Sequence, residues 1–417
     1  MRIERELYLD RLVDRMHNGM VKVITGIRRC GKSFLLFQLF KDYLSSQGVD
    51  NEHIIRVSLD SEESEDLLDR KKLGAHVRNR ILDDSQYYLF IDEIQMVDGF
   101  EKVLNSLLKI TNLDIYVTGS NSRFLSTDIL TEFRGRGDEV RVFPLSFSEF
   151  CSAFDGSTED AWKEYSLYGG LPQILLQKRE EQKAAFLKNI FKKVYIDDIV
   201  GRNHLKGDEA IDALCSVIAS AVGSLTSPSK LSKTFASRGV KGVTDKTVNA
   251  YISYMEESFL VSKAMRYDVK GRKYIGSPCK FYYCDAGLRN AGLNFRQYEE
   301  THLMENIIYN ELLVRGFSVD VGIVQYMAKN ADGKVVRVTN EVDFVANLGS
   351  KRYYIQSAFA IPDKEKMQQE QDSLLHISDS FKKIIVTLKD SPPWHNEKGV
   401  LIMNVFDFLL KRNSLEM

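Results

Sequence analysis

The chain has 417 residues, long enough for two to four domains that each bury a core. Hydrophobic residues make up 44% and charged residues 28%, and 57 Lys+Arg against 58 Asp+Glu leave a net charge of −1, which excludes a molecule that binds nucleic acid through its overall charge. No apolar run approaches a membrane span, the start Met1-Arg2-Ile3-Glu4-Arg5-Glu6 is too charged for a secretion signal, and five scattered cysteines lack zinc-type pairing, so a cytoplasmic protein with reduced thiols and no membrane contact is expected.

In chain order, the β-branched run Met20-Val21-Lys22-Val23-Ile24-Thr25 reads as a buried strand. It leads into Gly26-Ile27-Arg28-Arg29-Cys30-Gly31-Lys32-Ser33, a glycine-loop pattern, and Phe34 to Leu44 is apolar almost all round, as a helix packed on a sheet is. Phosphate binding requires that order. Backbone N–H groups and the positive helix end cradle phosphate oxygens, while Lys32 and Ser33 reach the β/γ-phosphates and Mg²⁺. Residues 26–33 with Phe34 are therefore the expected nucleotide contact, for ATP with Mg²⁺.

A second strand is expected over His53–Leu59 and a helix over Glu65–Leu82. The strand Tyr87-Tyr88-Leu89-Phe90-Ile91 ends in Asp92-Glu93, a Walker B-like pair. Asp92 would hold Mg²⁺ through water and Glu93 would polarise the attacking water as general base; two acids in this place can also cap the next helix. A strand between the loop and this pair, and the glutamate beside the aspartate, favour the additional-strand, catalytic-glutamate division of P-loop NTPases over kinases and GTPases. Asp114–Thr118 reads as a further strand, with the polar turn Gly119-Ser120-Asn121-Ser122 at its carboxyl end. The basic turn Phe133-Arg134-Gly135-Arg136-Gly137 precedes the strand Val140–Phe143, and a mainly helical stretch begins near Pro144.

The order GIRRCGKS (26–33), LFIDEIQ (89–95), TGSNS (118–122), RGRG (134–137), PLSFSEF (144–150), YGGLP (168–172) and CDAGLRNA (284–291) resembles a widespread group of prokaryotic AAA-type ATPases that carry a C-terminal domain of unknown function. The likeness covers nearly the whole chain. It implies an AAA-like α/β P-loop core over 1–150, a helical lid over 151–215, a winged helix-turn-helix over 216–275 and a restriction-endonuclease-like α/β domain over 276–417. It also implies that Ser120 or Asn121 is the polar sensor that orients the water, and that Arg136, or else Arg134, is an arginine finger acting in trans, which would require a homo-oligomer. Gly170-Leu171-Pro172 is similar to a nucleotide-sensing lid element and equally to a plain helix-breaking turn.

In the winged-helix stretch, Ser227–Phe235 and a helix capped by Thr244 flank the turn 237–242, and Lys270, Gly271, Arg272 and Lys273 occupy the place of a wing. DNA or a protein is the expected partner; Asp245, Glu256 and Glu257 beside Lys246 make a poor phosphate footprint. Active restriction-endonuclease-like domains place a helix glutamate, a strand aspartate and an acidic-x-Lys element around Mg²⁺. Glu305 and Asp343 match the first two, Glu341 lies on the same strand face as Asp343 where it could substitute as a ligand, and the third element reads Gln356-Ser357-Ala358, without acid or lysine. That triplet argues against nuclease activity, so an ATP-driven conformational switch is the expectation, with a DNA-associated regulator or an ATP-gated metal-dependent nuclease as the alternative.

Overall fold

The computed structural model describes residues 2–120, 135–205, 209–237, 243–329, 333–361 and 363–417. They form two compact units, one built from the chain up to Pro144 with Glu257–Phe259, the other from Leu145–Glu256 with Leu260–Met417.

In the first unit, α1 (Glu6–Val13) precedes β1 (Val21–Thr25). Helix α2 spans residues 32–46 as an α-turn Lys32–Phe34, a π-helical segment Leu35–Phe40 and an α-helical end Lys41–Ser46. Then come β2 (Ile54–Ser58), α3 (Arg70–Arg80), β3 (Tyr87–Asp92), α4 (Phe100–Leu107), β4 (Leu113–Gly119) and β5 (Gly137–Arg141). The sheet runs β2-β3-β4-β1-β5 with every pairing parallel. Strand β4 separates β1 from β3, and β2, the strand between the loop and the acidic pair in sequence, pairs with β3 at the edge of the sheet. Both faces of a parallel sheet are covered, so β1, β3 and β4 are buried at every residue rather than alternating. One face packs Val21, Val23, Ile55, Leu89, Ile91 and Val117 against Leu73, Val77, Leu104 and Leu107. On the other, Phe40 meets Tyr116 at 4.7 Å and Phe90 at 5.6 Å between ring centroids. The expected helix 65–82 divides: a short 3₁₀ segment Glu62–Leu68 stops at Asp69, whose carboxylate accepts from the Lys71 and Lys72 amides and starts α3.

The second unit opens with helices α5 (Phe147–Ala153), α6 (Thr158–Tyr168), α7 (Glu180–Asn189), α8 (Asp197–Arg202), α9 (Glu209–Ser220), α10 (Pro228–Ser237) and α11 (Asp245–Glu257). The motif 144–150 contains a capping box: Ser146 Oγ accepts from the Glu149 amide at 3.2 Å and Glu149 Oε2 from the Ser146 amide at 2.8 Å. An eight-stranded sheet follows, with β6 (Val261–Asp268), β7 (Lys273–Tyr283), α12 (Ala286–Gly292), α13 (Glu300–Val314), β8 (Ser318–Lys329), β9 (Val335–Leu348), β10 (Lys351–Ala358), α14 (Lys364–Leu375), β11 (Lys382–Thr387), β12 (Trp394–His395), β13 (Leu401–Asn404) and α15 (Val405–Leu410). Its order is β12-β13-β11-β10-β9-β8-β6-β7. Strands β8, β9 and β10 form an antiparallel meander and β11 joins β10 in parallel across α14. The β6–β7 hairpin, which carries Lys270–Lys273 at its turn, extends this same sheet through β8.

The motifs 168–172 and 284–291 form a clasp inside this unit. Buried Asp285 accepts from the Gly170 amide at 2.7 Å and, capping α12, from the Leu288 amide at 2.9 Å. A Cβ at Gly169 would lie 2.1 Å from the Asp285 carboxylate, and one at Gly287 would lie 2.1 Å from the Tyr168 carbonyl oxygen. Fully buried Arg289 donates to Ala219 O and Gln297 O and pairs with Glu299, while Asn290 donates to Ser166 O and Leu167 O. These short motifs hold α6 against α12. The turn 170–172 ends in a short 3₁₀ segment, Pro172–Leu176, in keeping with a helix break.

Candidate functional site

The site lies at the carboxyl ends of β1, β3 and β4, where an open parallel sheet presents its ligand crevice. The loop 26–31 is wound tightly: Gly26, Arg29 and Gly31 have φ of 141°, 64° and 100°. A side chain at Gly26 is impossible without a shift, because its Cβ would stand 2.0 Å from the Val142 carbonyl oxygen. Lys32 is buried, and its ammonium donates to the Gly26 and Ile27 carbonyl oxygens at 3.0 Å each. Ile27 and Cys30 point into the core, whereas Arg29, Ser33 and Phe34 are exposed and Arg28 is half-buried. Buried Arg5, from the residue just before α1, donates to Cys30 O at 3.0 Å and Phe143 O at 2.9 Å, bracing the loop from behind.

Asp92, the last residue of β3, is buried and accepts hydrogen bonds from the Thr118 and Ser33 hydroxyls. Burial pushes its carboxyl above the usual range; those two hydroxyls act in the opposite sense, and neighbouring Glu93 and Asp60 add to the rise. Ser33 and Asp92, the two residues expected at Mg²⁺, therefore meet. They offer hard oxygen donors beside the phosphate loop, which suits an ion that keeps several waters and takes phosphate oxygens. Among the described residues no group of three or more His, Cys, Asp or Glu is arranged to hold a metal ion.

Glu93 has a left-handed backbone, φ 52°, unusual for a non-glycine residue. Its amide donates to Thr118 Oγ1 at 3.0 Å, and its carboxylate accepts from Ser120 Oγ at 3.1 Å and from the Gln95 amide group. Ser120 thus touches the expected base. Asn121 and Arg134 lie outside the described residues. Arg136 is exposed, and its carbonyl oxygen accepts from the Val21 amide at 2.9 Å, at the amino end of β1 and β5. The loop follows the other end of β1, four residues or about 13 Å along the strand, so Arg136 is not among the groups gathered around Lys32.

Sequence reasoning missed three residues here. Thr118 bridges both members of the acidic pair, Gln95 holds the Glu93 carboxylate, and Arg5 fixes the loop. Only Thr118 carried a signal, as a hydroxyl at a strand end beside the polar turn.

A glycine loop between strand and helix, an acidic pair on the next strand but one in space, and the sheet order β2-β3-β4-β1-β5 define a P-loop nucleotide-binding protein of the AAA type. The family model described as an AAA domain matches residues 18–151, and a domain of unknown function (DUF8612) matches residues 159–299. An uncharacterised protein of Haemophilus influenzae is 34% identical over 415 residues, 98% of this chain and 99% of that protein. The chain belongs to the same family of AAA-domain proteins. A second relative, an uncharacterised protein of Methanocaldococcus jannaschii, is 27% identical over 365 residues, covering 84% of this chain and 77% of its own length. The Aeropyrum pernix ORC1 protein, solved in complex with DNA, is 13% identical with a TM-score of 0.31, over 72% of this chain and 94% of that one; a likeness of that degree carries no conclusion about function. No helix among the described residues is long and apolar enough to cross a membrane.

Proposed function

We propose that this protein hydrolyses ATP with Mg²⁺ and uses the two nucleotide states as a conformational switch. The observation that carries this reading is the meeting, at the carboxyl ends of β1, β3 and β4, of the Lys32 loop, the Ser33–Asp92 contact and the Glu93–Ser120 contact. Lys32 would exchange the loop carbonyls for phosphate oxygens, and the loop amides would bind the β-phosphate. Ser33 and Asp92 would hold Mg²⁺, which neutralises charge on the phosphates. Glu93 would take the proton of the attacking water while Ser120 and Gln95 orient its carboxylate. Cys30 and Ile27 serve the loop through packing, and Gly26, Arg28, Arg29, Gly31 and Phe34 would line the nucleotide.

We assign residues 1–150 to the ATPase core, 151–215 to a lid, 216–275 to a winged helix-turn-helix and 276–417 to a restriction-endonuclease-like domain. Support for the third comes from the helices α10 and α11, the second started by Thr244 Oγ1 accepting from the Thr247 amide at 3.2 Å, followed by the β6–β7 hairpin. Support for the fourth is the order α13-β8-β9-β10-α14-β11 with its antiparallel meander and final parallel strand. The last two assignments overlap in the sheet that β6 and β7 share with β8. The switch would act on a protein or DNA partner through these parts.

Phosphate release at saturating Mg²⁺·ATP, with and without DNA, tests the reading. Glu93→Gln should retain nucleotide binding and lose turnover by about 100-fold or more, and Lys32→Ala should lose both. Equal turnover in wild type and Glu93→Gln would remove Glu93 as the base. Turnover that rises with DNA assigns the output to DNA, and unchanged turnover assigns it to a protein contact.

A further inference from the structure

The second unit holds a buried charge cluster that contiguous sequence does not reveal. Glu305 on α13, and Glu341 and Asp343 on one face of β9, converge on a single ammonium, that of Lys280 near the end of β7. Lys280 Nζ lies 2.9 Å from Glu305 Oε1, 2.6 Å from Glu341 Oε1 and 3.3 Å from Asp343 Oδ1. An ammonium has three N–H donors, and here each faces a carboxylate from a different residue. The lysine absent from the triplet Gln356-Ser357-Ala358 is therefore replaced in space by one from another strand, at a different position relative to the acids.

We propose that the Lys280 ammonium stands where a divalent cation would sit among Glu305, Glu341 and Asp343, so that this acidic centre is compensated from within the chain and becomes a cation site only when the ammonium is removed.

Four observations support it. First, Lys280, Glu305 and Asp343 are all under a tenth exposed, so the acids need a nearby positive charge to stay ionised. Second, two further donors hold the carboxylates in place: Tyr282 donates to Glu305 Oε1 at 2.7 Å and the Ser357 amide to Asp343 Oδ2 at 2.9 Å. Third, Gly223 closes the far side; a Cβ there would be 2.9 Å from Glu305 Oε2. Glu341, whose side chain is 29% exposed, is the open side through which an ion would come. Fourth, one lysine against three carboxylates leaves an excess of negative charge. A divalent ion with oxygens at about 2.0–2.6 Å would balance the set better than the amine does, once the side chain that fills the space is gone.

Mn²⁺ alone, without nucleotide, is the probe, titrated by electron paramagnetic resonance on the full-length chain. All arms carry Asp92→Asn to silence the other candidate ion position. The parent should show no Mn²⁺ bound at this cluster, and adding Asp343→Asn should change nothing. Lys280→Ala should gain one site at least tenfold tighter than any in the parent, lose it again with Asp343→Asn, and melt at a higher temperature in Mn²⁺ than in chelator. Because Lys280→Ala leaves three facing carboxylates, Lys280→Ala/Glu305→Gln serves as the second variant. It leaves two carboxylates, which one Mn²⁺ neutralises, and should also gain a site. A parent that binds Mn²⁺ through Asp343 overturns the proposal. So does a folded Lys280→Ala or double variant that gains none.

Discussion

Replacing Thr118 by valine keeps the shape of a fully buried side chain and deletes one hydroxyl. That hydroxyl accepts from the Glu93 amide at 3.0 Å and donates to Asp92. Its loss leaves the part-buried Glu93 N–H without this acceptor, at about 1–3 kcal/mol, and removes a hydrogen bond to a charged carboxylate, at about 1.5–3 kcal/mol. If roughly 3 kcal/mol of this falls on the transition state, turnover drops about 100-fold. The loop 26–33 is untouched, so nucleotide affinity should stay within about threefold of wild type. Phosphate release at saturating Mg²⁺·ATP, with a fluorescent-nucleotide titration and a thermal melt, measures all three quantities. Thr118→Ser keeps the hydroxyl and should recover most of the rate. A folded Thr118→Val with wild-type turnover would refute the bridging role, as would Thr118→Ser failing as badly as valine.

At the loop, Gly26→Ala puts a methyl on the Val142 carbonyl at a φ of 141°, and should weaken nucleotide binding about tenfold or more and lower the melting temperature; unchanged affinity by the same titration would show that the loop tolerates the shift. Burial raises Asp285 to about 6, above the usual aspartate range, while the amides of Gly170, Leu288 and Gly287 oppose the rise. In the folded state it keeps a proton that the unfolded chain has released, so its contribution to stability is largest below about pH 4 and is lost as pH rises to about 6. Relative to Asp285→Asn, which does not titrate, the wild type should lose about 3 kcal/mol across that window in chemical denaturation, and a flat difference would contradict the shift. Arg136, exposed and about 13 Å of strand from its own loop, should act only between chains. Specific activity should rise with protein concentration in wild type and stay flat in Arg136→Ala; two identical flat curves would dismiss the finger.

The nucleotide loop, the acidic pair and the core strands were legible because each is a contiguous run whose local conformation its residues dictate. Gly26 and Gly31 permit positive φ, Lys32-Ser33 starts a helix, and unbroken β-branched and aromatic runs can only be buried strands. The functional weight of Thr118, Arg5 and Lys280 was not legible, because their partners lie 25, 138 and 63 residues away and no spacing links them. Asp285 shows the intermediate case. Its motif stands out in the chain, yet only the packing of Asp285 against Gly169 and Gly170 makes it part of a clasp.

The residues Gly26–Ser33, in one short stretch between strand and helix, are enough to mark an AAA-type core with a loop suited to phosphate, since that chemistry needs those residue types in that order. The tertiary structure alone decided which groups hold Asp92 and Glu93 in place, and that the acids of the second unit close on Lys280. Those outcomes depend on which strands become neighbours, and a carboxylate leaving water takes its compensating charge from whatever the sheet brings beside it.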